Sequence, residues 1–362
     1  MRILQVIRSI PFGGDPVYVL RLCRGLIELG HEVAVLTEGG PFEPVFRERG
    51  IELIKPESLG PSHTASVAKR IESRGFEILC SHHYRSGRVA YRLHRRTGIP
   101  YIMTIHAYRA LHGRMLVNYW SPWVIVVNRA VGRGLARPFG VPAQRILQSF
   151  LPVDPQDYYP EEVSAELRER YLPQPGTRLI LHVSRFARRK FDVALALLAA
   201  LPRVQQEHPE TRLLFVGGGK KVEQLKRRVA AFAAEHGDVV RWEPPRPALR
   251  PLFNLANITV GTGLVAREAL ACGSPVVAAG RKGYFGPVRQ KNFDAAGHGN
   301  FGDLGECPTR NGSEPLASDL IRVLDDEQEW RSEADALSRR VAREFTPRRA
   351  AEQIAGFYER AL

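Results

Sequence analysis

Cysteine is scarce in this chain, and the four present (Cys23, Cys80, Cys272 and Cys307) form no Cys-x-x-Cys pair. That spacing excludes a thiolate zinc site and a disulfide framework, and it points to reduced thiols in a cytoplasm. Long apolar runs are missing as well. The longest, Val193 to Leu201, is about half of the roughly 20 residues a bilayer-spanning helix needs. The start, Met1-Arg2-Ile3-Leu4-Gln5-Val6-Ile7, reads as a strand, with Arg8 interrupting it before a secretory signal could form. The most informative absence is acidic. From Ile78 to Val153 there is no aspartate or glutamate, while eleven arginines fall there, among them Arg85, Arg92, Arg109, Arg114, Arg129 and Arg137. The whole chain carries a net charge of +14. So one-sided a field favours an anionic partner: a nucleotide sugar, a lipid phosphate, an anionic membrane face or nucleic acid.

What is present is a repeated β-α alternation. At 362 residues the chain is too long for one ordinary core, so two domains are expected. Strands read at Ile3–Ile7, Glu32–Leu36, Ile51–Ile54, Glu77–Cys80, Tyr101–Ile105, Val124–Val127 and Arg145–Gln148. Between the first two lies a helix, expected to start with Asp15 as N-cap and to stop at Gly30. Basic helical segments read near Gly87–Arg96 and Arg129–Pro138. Proline and charge then cluster around Pro152–Gly176, the signature of a linker. Beyond it the alternation restarts, with strands at Leu179–Val183, Arg212–Val216, Val239–Trp242, Ile258–Val260 and Val276–Ala279. The pattern predicts an α/β chain of two tandem Rossmann-like, doubly wound parallel-sheet domains. The expected boundaries are 1–155, a linker over 156–176, 177–343, and a terminal helix over 344–362 packing back on the first domain. Thr346 caps that helix, and Ala350, Ile354, Phe357 and Leu362 form its apolar stripe.

The richest stretch is Gly261-Thr262-Gly263-Leu264, which leads into a short helix carrying Glu268. A turn opening into a helix N-terminus presents unpaired amides to a phosphate. A carboxylate about a turn and a half further on suits a ribose diol. Upstream, Arg185 and Lys190 follow the strand ending at Val183. Two cations five residues apart can converge on one diphosphate and stabilise charge on it as it departs. Ligands of doubly wound sheets sit at the carboxyl ends of strands, so the expected site is the cleft between the domains.

These residues, in this order, make the chain resemble family 4 of the retaining glycosyltransferases and their two-domain GT-B architecture. The resemblance spans the Pro11-Phe12-Gly13-Gly14 turn, the Gly30-His31-Glu32-Val33 junction and the His106 strand end. It continues through Arg185 and Lys190, the Val216-Gly217-Gly218-Gly219 turn and the run from Glu268 to Val277. It implies that Gly13 and Gly14 open the first helix to donor phosphate or acceptor, and that His106 lies beside the donor sugar. Arg185 and Lys190 would bind the diphosphate. Glu268, the second glutamate of a Glu-x7-Glu motif, would bind the ribose, with Gly217, Gly261, Thr262, Gly263 and Leu264 lining the donor site. It further implies transfer with retention, a UDP- or GDP-linked donor, no metal and no other cofactor. The chain departs from the pattern at Val260, where the first motif glutamate belongs, and at Thr262, Phe191 and Leu151-Pro152.

The reading is therefore a sugar transferase acting on an anionic or lipid-linked acceptor, such as a surface-polysaccharide intermediate. It would be cytoplasmic, with peripheral contact at the inner membrane face through the basic first domain. Two alternatives stand beside it: a nucleotide-sugar epimerase of the same architecture, and a non-catalytic binding protein with Val260 marking lost chemistry. Nucleic acid ranks last, because no recognisable module accompanies the charge. Among smaller signals, His82-His83 at a strand end could touch ligand, though loop histidines are common and the loop reading is favoured, and Arg281–Gly286 reads as a loop that could line the donor pocket. Gly132-Arg133-Gly134 lacks the third glycine of a dinucleotide fingerprint. Trp120 and Trp123 read as packing residues.

Overall fold

The computed structural model describes residues 1–106, 121, 123–133, 141–304 and 307–362. Arg109, Arg114, Trp120, Gly134, Arg137 and Pro138, named above, lie outside the described residues. The chain divides into two compact units: Met1–Pro152 with Phe345–Leu362, and Val153–Glu344.

The first unit is built on seven strands: β1 (Arg2–Val6), β2 (Glu32–Leu36), β3 (Glu52–Ile54), β4 (Ile78–His82), β5 (Tyr101–Ile105), β6 (Val124–Val126) and β7 (Ile146–Gln148). Their order is β3-β2-β1-β4-β5-β6-β7, and every pair is parallel. Every residue of β4 and β5 is buried, as expected of parallel strands covered on both faces. The helices α1 (Gly14–Glu28), α2 (Glu43–Glu48), α3 (Thr64–Glu72) and α4 (His83–Thr97) connect the early strands. Chain order reverses between β1 and β4, which makes the ends of those two strands the switch point where ligands gather.

Asp15 is not the N-cap of α1. Gly13 holds that position, and Asp15 sits in the first turn, where its carboxylate is taken up by His83. The C-terminal helix Pro347–Glu359 belongs to this unit and lies against α1. Thr346 caps it through a 3.2 Å bond accepted from the Arg349 amide. Gly25 permits the close approach: a Cβ there would lie 2.3 Å from the Pro347 carbonyl oxygen. Ala350, Ile354 and Phe357 are buried, but Leu362 is exposed and falls outside the stripe expected of it, because the helix ends before it.

The second unit has six strands: β8 (Arg178–Val183), β9 (Thr211–Val216), β10 (Val240–Glu243), β11 (Ile258–Gly261), β12 (Val276–Ala279) and β13 (Tyr284–Pro287). Their order is β10-β9-β8-β11-β12-β13, with the switch between β8 and β11. The last strand runs antiparallel to β12, so part of the expected Arg281–Gly286 loop is an edge strand. Residues 156–176, read from composition as a linker, carry α5 (Ala165–Tyr171) and are tied into this unit. Glu161 pairs with Arg250, and the Tyr171 hydroxyl donates to Glu243. The proline-rich composition marks irregular backbone, and those contacts anchor it. The helices α6 (Arg189–Glu207), α7 (Val222–His236), α8 (Arg250–Leu255) and α9 (Leu264–Ala271) follow. The core gathers on Phe186, Phe191, Leu197, Phe215 and Trp330.

Candidate functional site

In the second unit Arg185 and Lys190 follow β8, and the Gly261–Gly263 turn follows β11, the two strands that meet at the switch. Ser184 and Arg185 leave the end of β8, and Gly217 leaves its neighbour β9. The two loops lock together, with the Phe186 amide donating to the Gly218 carbonyl at 2.8 Å. Gly217 has φ +141°, and a Cβ there would lie 2.0 Å from the Ser184 carbonyl oxygen, so glycine is required. Arg185 is exposed and Lys190, in the first turn of α6, is half-buried. The Lys190 ammonium is 3.3 Å from the Asp303 carboxylate.

On the other side of the switch, β11 ends at Gly261 and α9 begins at Leu264 with Gly263 as its cap. Gly263 has φ +63°, a left-handed turn between the strand end and α9 that glycine takes freely. Thr262 is tied to a neighbouring loop. Its hydroxyl donates to the Asn300 carbonyl at 2.8 Å, as does the Gly263 amide at 3.1 Å. Glu268 is buried in α9. Val260 is wholly buried, and its carbonyl accepts the His182 Nδ1–H at 2.8 Å. Burial pushes that imidazole down to about 4.

In the first unit, His106 ends β5 and Gly13-Gly14 open α1. A Cβ at Gly13 would meet nothing, so space alone does not demand glycine there. His106 belongs to a polar chain. The Gln5 Oε1 accepts from His82 Nε2 at 2.8 Å, which leaves the neutral His82 ring with an acceptor Nδ1. His106 Nε2 therefore donates to it, at 3.3 Å. His106 Nδ1 is left as an acceptor, 4.0 Å from an Asp15 oxygen. Burial pushes His106 down to about 3 and His82 well below the ordinary range, so both rings are neutral at physiological pH.

His83 lies in a helix start and not in a loop. It opens α4 with φ +65°, unusual outside glycine, and its Nε2 donates to Asp15 at 2.6 Å. Asp15, His83 and His106 bring three ligand-type atoms within 4.8 Å of one another. These residues could hold a divalent cation, although the Asp15–His83 bond already occupies two of the three. A His-His pair after an apolar strand, with an aspartate in a glycine-opened helix, was the available signal. Asn300 and Asp303 had no signal in the local pattern.

Two α/β units, each built on a largely parallel sheet with its own switch point, make the GT-B architecture. The Glycosyltransferase Family 4 model matches residues 12–156, and the Glycosyl transferases group 1 model matches residues 163–300. The chain belongs to glycosyltransferase family 4. It is an enzyme that moves a sugar from a donor to an acceptor. It is 27% identical over 401 residues to the D-inositol 3-phosphate glycosyltransferase of Thermobispora bispora, covering 97% of this chain and 90% of that one. Its fold is similar to that of Anabaena HepE, solved with UDP and glucose (TM-score 0.79, 19% identity, 99% of this chain and 100% of that one). It is also similar in fold to a glycosyltransferase of Rickettsia africae (TM-score 0.77, 17% identity, 99% and 98% covered). Among the described residues, no helix is long and apolar enough to cross a membrane.

Proposed function

We propose that this enzyme uses a UDP- or GDP-linked sugar, with Arg185 and Lys190 on the diphosphate and Glu268 on the ribose. What supports this reading is that Arg185 and Lys190 follow β8 while the Gly261–Gly263 turn and the helix carrying Glu268 follow β11, the two strands that meet at the switch. Positive groups there would stabilise the charge that grows on the leaving diphosphate. His106, an acceptor at Nδ1, suits a sugar hydroxyl. Transfer proceeds with retention, the leaving phosphate taking the acceptor's proton on the same face, and needs no metal.

The acceptor in this reading is anionic: a phosphate-bearing or lipid-linked intermediate, drawn by the acid-free arginine stretch. The phosphate-bearing acceptor in the name of the Thermobispora bispora relative supports that choice. A cytoplasmic enzyme working at the inner membrane face would meet such an acceptor. Epimerase chemistry is disfavoured by the missing acids of residues 78–153.

The test is turnover with nucleotide sugars in Arg185→Ala, Lys190→Ala and Glu268→Ala. Losses of about 100-fold or more in Arg185→Ala and Lys190→Ala are expected from removing groups that face developing charge. Full activity in all three variants, with the fold intact, rejects the site. Incubation with chelator should leave the rate unchanged; its loss and recovery on adding a divalent ion would instead implicate Asp15, His83 and His106.

A further inference from the structure

We propose that Asp303 and Arg281 form the subsite that receives a hydroxyl of the donor's sugar, an inference that rests on the diphosphate reading of Lys190. The chain reaches Asp303 through a disfavoured path. Asn300, Phe301 and Gly302 take left-handed φ values of +54°, +56° and +88° in succession. Tertiary bonds hold that path in place. The Asn300 carbonyl accepts from Gly263 and Thr262, the Phe301 amide donates to Ala296 at 2.8 Å, and the Lys282 amide donates to Gly302 at 3.0 Å. Phe301 is fully buried. The loop is thus bonded directly to the donor turn, and it presents Asp303 beside Lys190.

The Asp303 side chain faces two cations, one from the first turn of α6 and one from the loop after β12. Its Oδ2 is 3.3 Å from Lys190 Nζ, and its Oδ1 is 3.9 Å from Arg281 Nε. The second gap is too long for a hydrogen bond, and neither Oδ1 nor Nε has a hydrogen-bond partner among the described residues. A single oxygen about 2.8 Å from each atom would span it. That oxygen must accept from Nε–H and donate to a carboxylate. A hydroxyl does both, whereas an ionised phosphate oxygen only accepts. The side chains are 19% and 24% exposed, but Oδ1 and Nε are themselves closed to solvent, so a hydroxyl reaches them only when the two side chains part. In a donor held by Lys190 through its diphosphate, the sugar is the next group along. Water is the other hydroxyl source, and the two differ in what the sugar adds to affinity.

Calorimetric titration of UDP against UDP-glucose, and of GDP against GDP-mannose, measures that increment directly. The expected result is that the conjugate of the preferred nucleotide binds wild type more tightly than the bare diphosphate. Asp303→Ala and Arg281→Gln should each remove about ten-fold of conjugate affinity. Bare diphosphate binding should hold or strengthen in Asp303→Ala, because Lys190 loses its partner. Asp303→Glu should recover part of the loss. Asp303→Asn keeps the side-chain shape and loses the charge, so it decides the matter if the alanine variant melts early. An unchanged ratio of conjugate to bare affinity in folded Asp303→Asn overturns the proposal and favours a bridging water. Wild type that binds neither diphosphate overturns the parent reading and the subsite together. Diphosphate binding abolished by Lys190→Ala, with the sugar increment untouched at Asp303, overturns the subsite alone.

Discussion

Asp15 and His83 meet through a 2.6 Å hydrogen bond, and His83 makes it from a left-handed backbone at φ +65°. The two residues come from the ends of neighbouring strands at the β1/β4 switch, one in the first turn of α1 and one opening α4. A bulky residue in that conformation persists only where its surroundings over-determine it, and such sites cluster at functional positions.

His83→Gly separates strain from service. Glycine takes φ +65° freely, which offsets the lost hydrogen bond by about 1 kcal/mol. The variant should melt within a few degrees of wild type yet transfer sugar more slowly. A variant that melts much earlier and keeps full turnover would show that the contact serves stability alone.

The buried imidazoles make acid stability directional. His106 and His182 are pushed down to about 3 and about 4, and His82 lies well below the ordinary value of 6.5, all by burial. Below pH 6.5 the unfolded chain therefore binds protons that the folded chain refuses. Stability is complete above about pH 6.5 and falls from there towards pH 4. Melting temperature should be flat from pH 7 to 8 and drop between 6.5 and 5, above the range where most carboxylates titrate. His106→Gln should reduce that slope; an identical slope would count against the burial of His106.

Gly217→Ala places a methyl carbon against the Ser184 carbonyl at φ +141°. The clash is with Ser184 backbone, which cannot swing aside as a side chain could. A destabilisation of about 2 kcal/mol or more is expected, with weaker diphosphate binding, because the displaced loop carries Arg185. Chemical denaturation and titration with UDP and GDP report the two effects separately. Wild-type values in both would mean the loops are not locked as described.

Gly25→Ala tests the seat of the C-terminal helix. The added carbon would lie 2.3 Å from the Pro347 carbonyl oxygen, so the helix must shift. A loss of about 1–3 kcal/mol is expected, with faster amide exchange in residues 347–359. Unchanged exchange there would show that the helix does not depend on this contact.

Much of the strand pattern was legible because parallel strands buried on both faces read as short aliphatic runs. Glu32–Leu36, Tyr101–Ile105 and Val276–Ala279 have the expected bounds. Thr346 announced its helix because capping is a local bond. Asp15 misled for the same reason: its local preference for a cap was outbid by a histidine 68 residues away. The β13 strand was missed because Tyr284 and Gly286 follow no alternation, and only pairing with β12 makes them a strand.

The candidate site divides along the same line. Arg185, Lys190, Glu268 and the Gly261–Gly263 turn stood out because each follows or opens an element whose period is written in neighbouring residues. Asp303 and the orientation of His106 did not, since one depends on a left-handed path held by distant carbonyls and the other on a hydrogen-bond chain from Gln5. Sequence by itself determined the alternation, the Thr346 cap and the charge, which are short-range properties of the chain. Tertiary structure alone decided which buried polar groups face one another, because hydrogen bonds and ion pairs act over a few ångströms between residues the chain order keeps far apart.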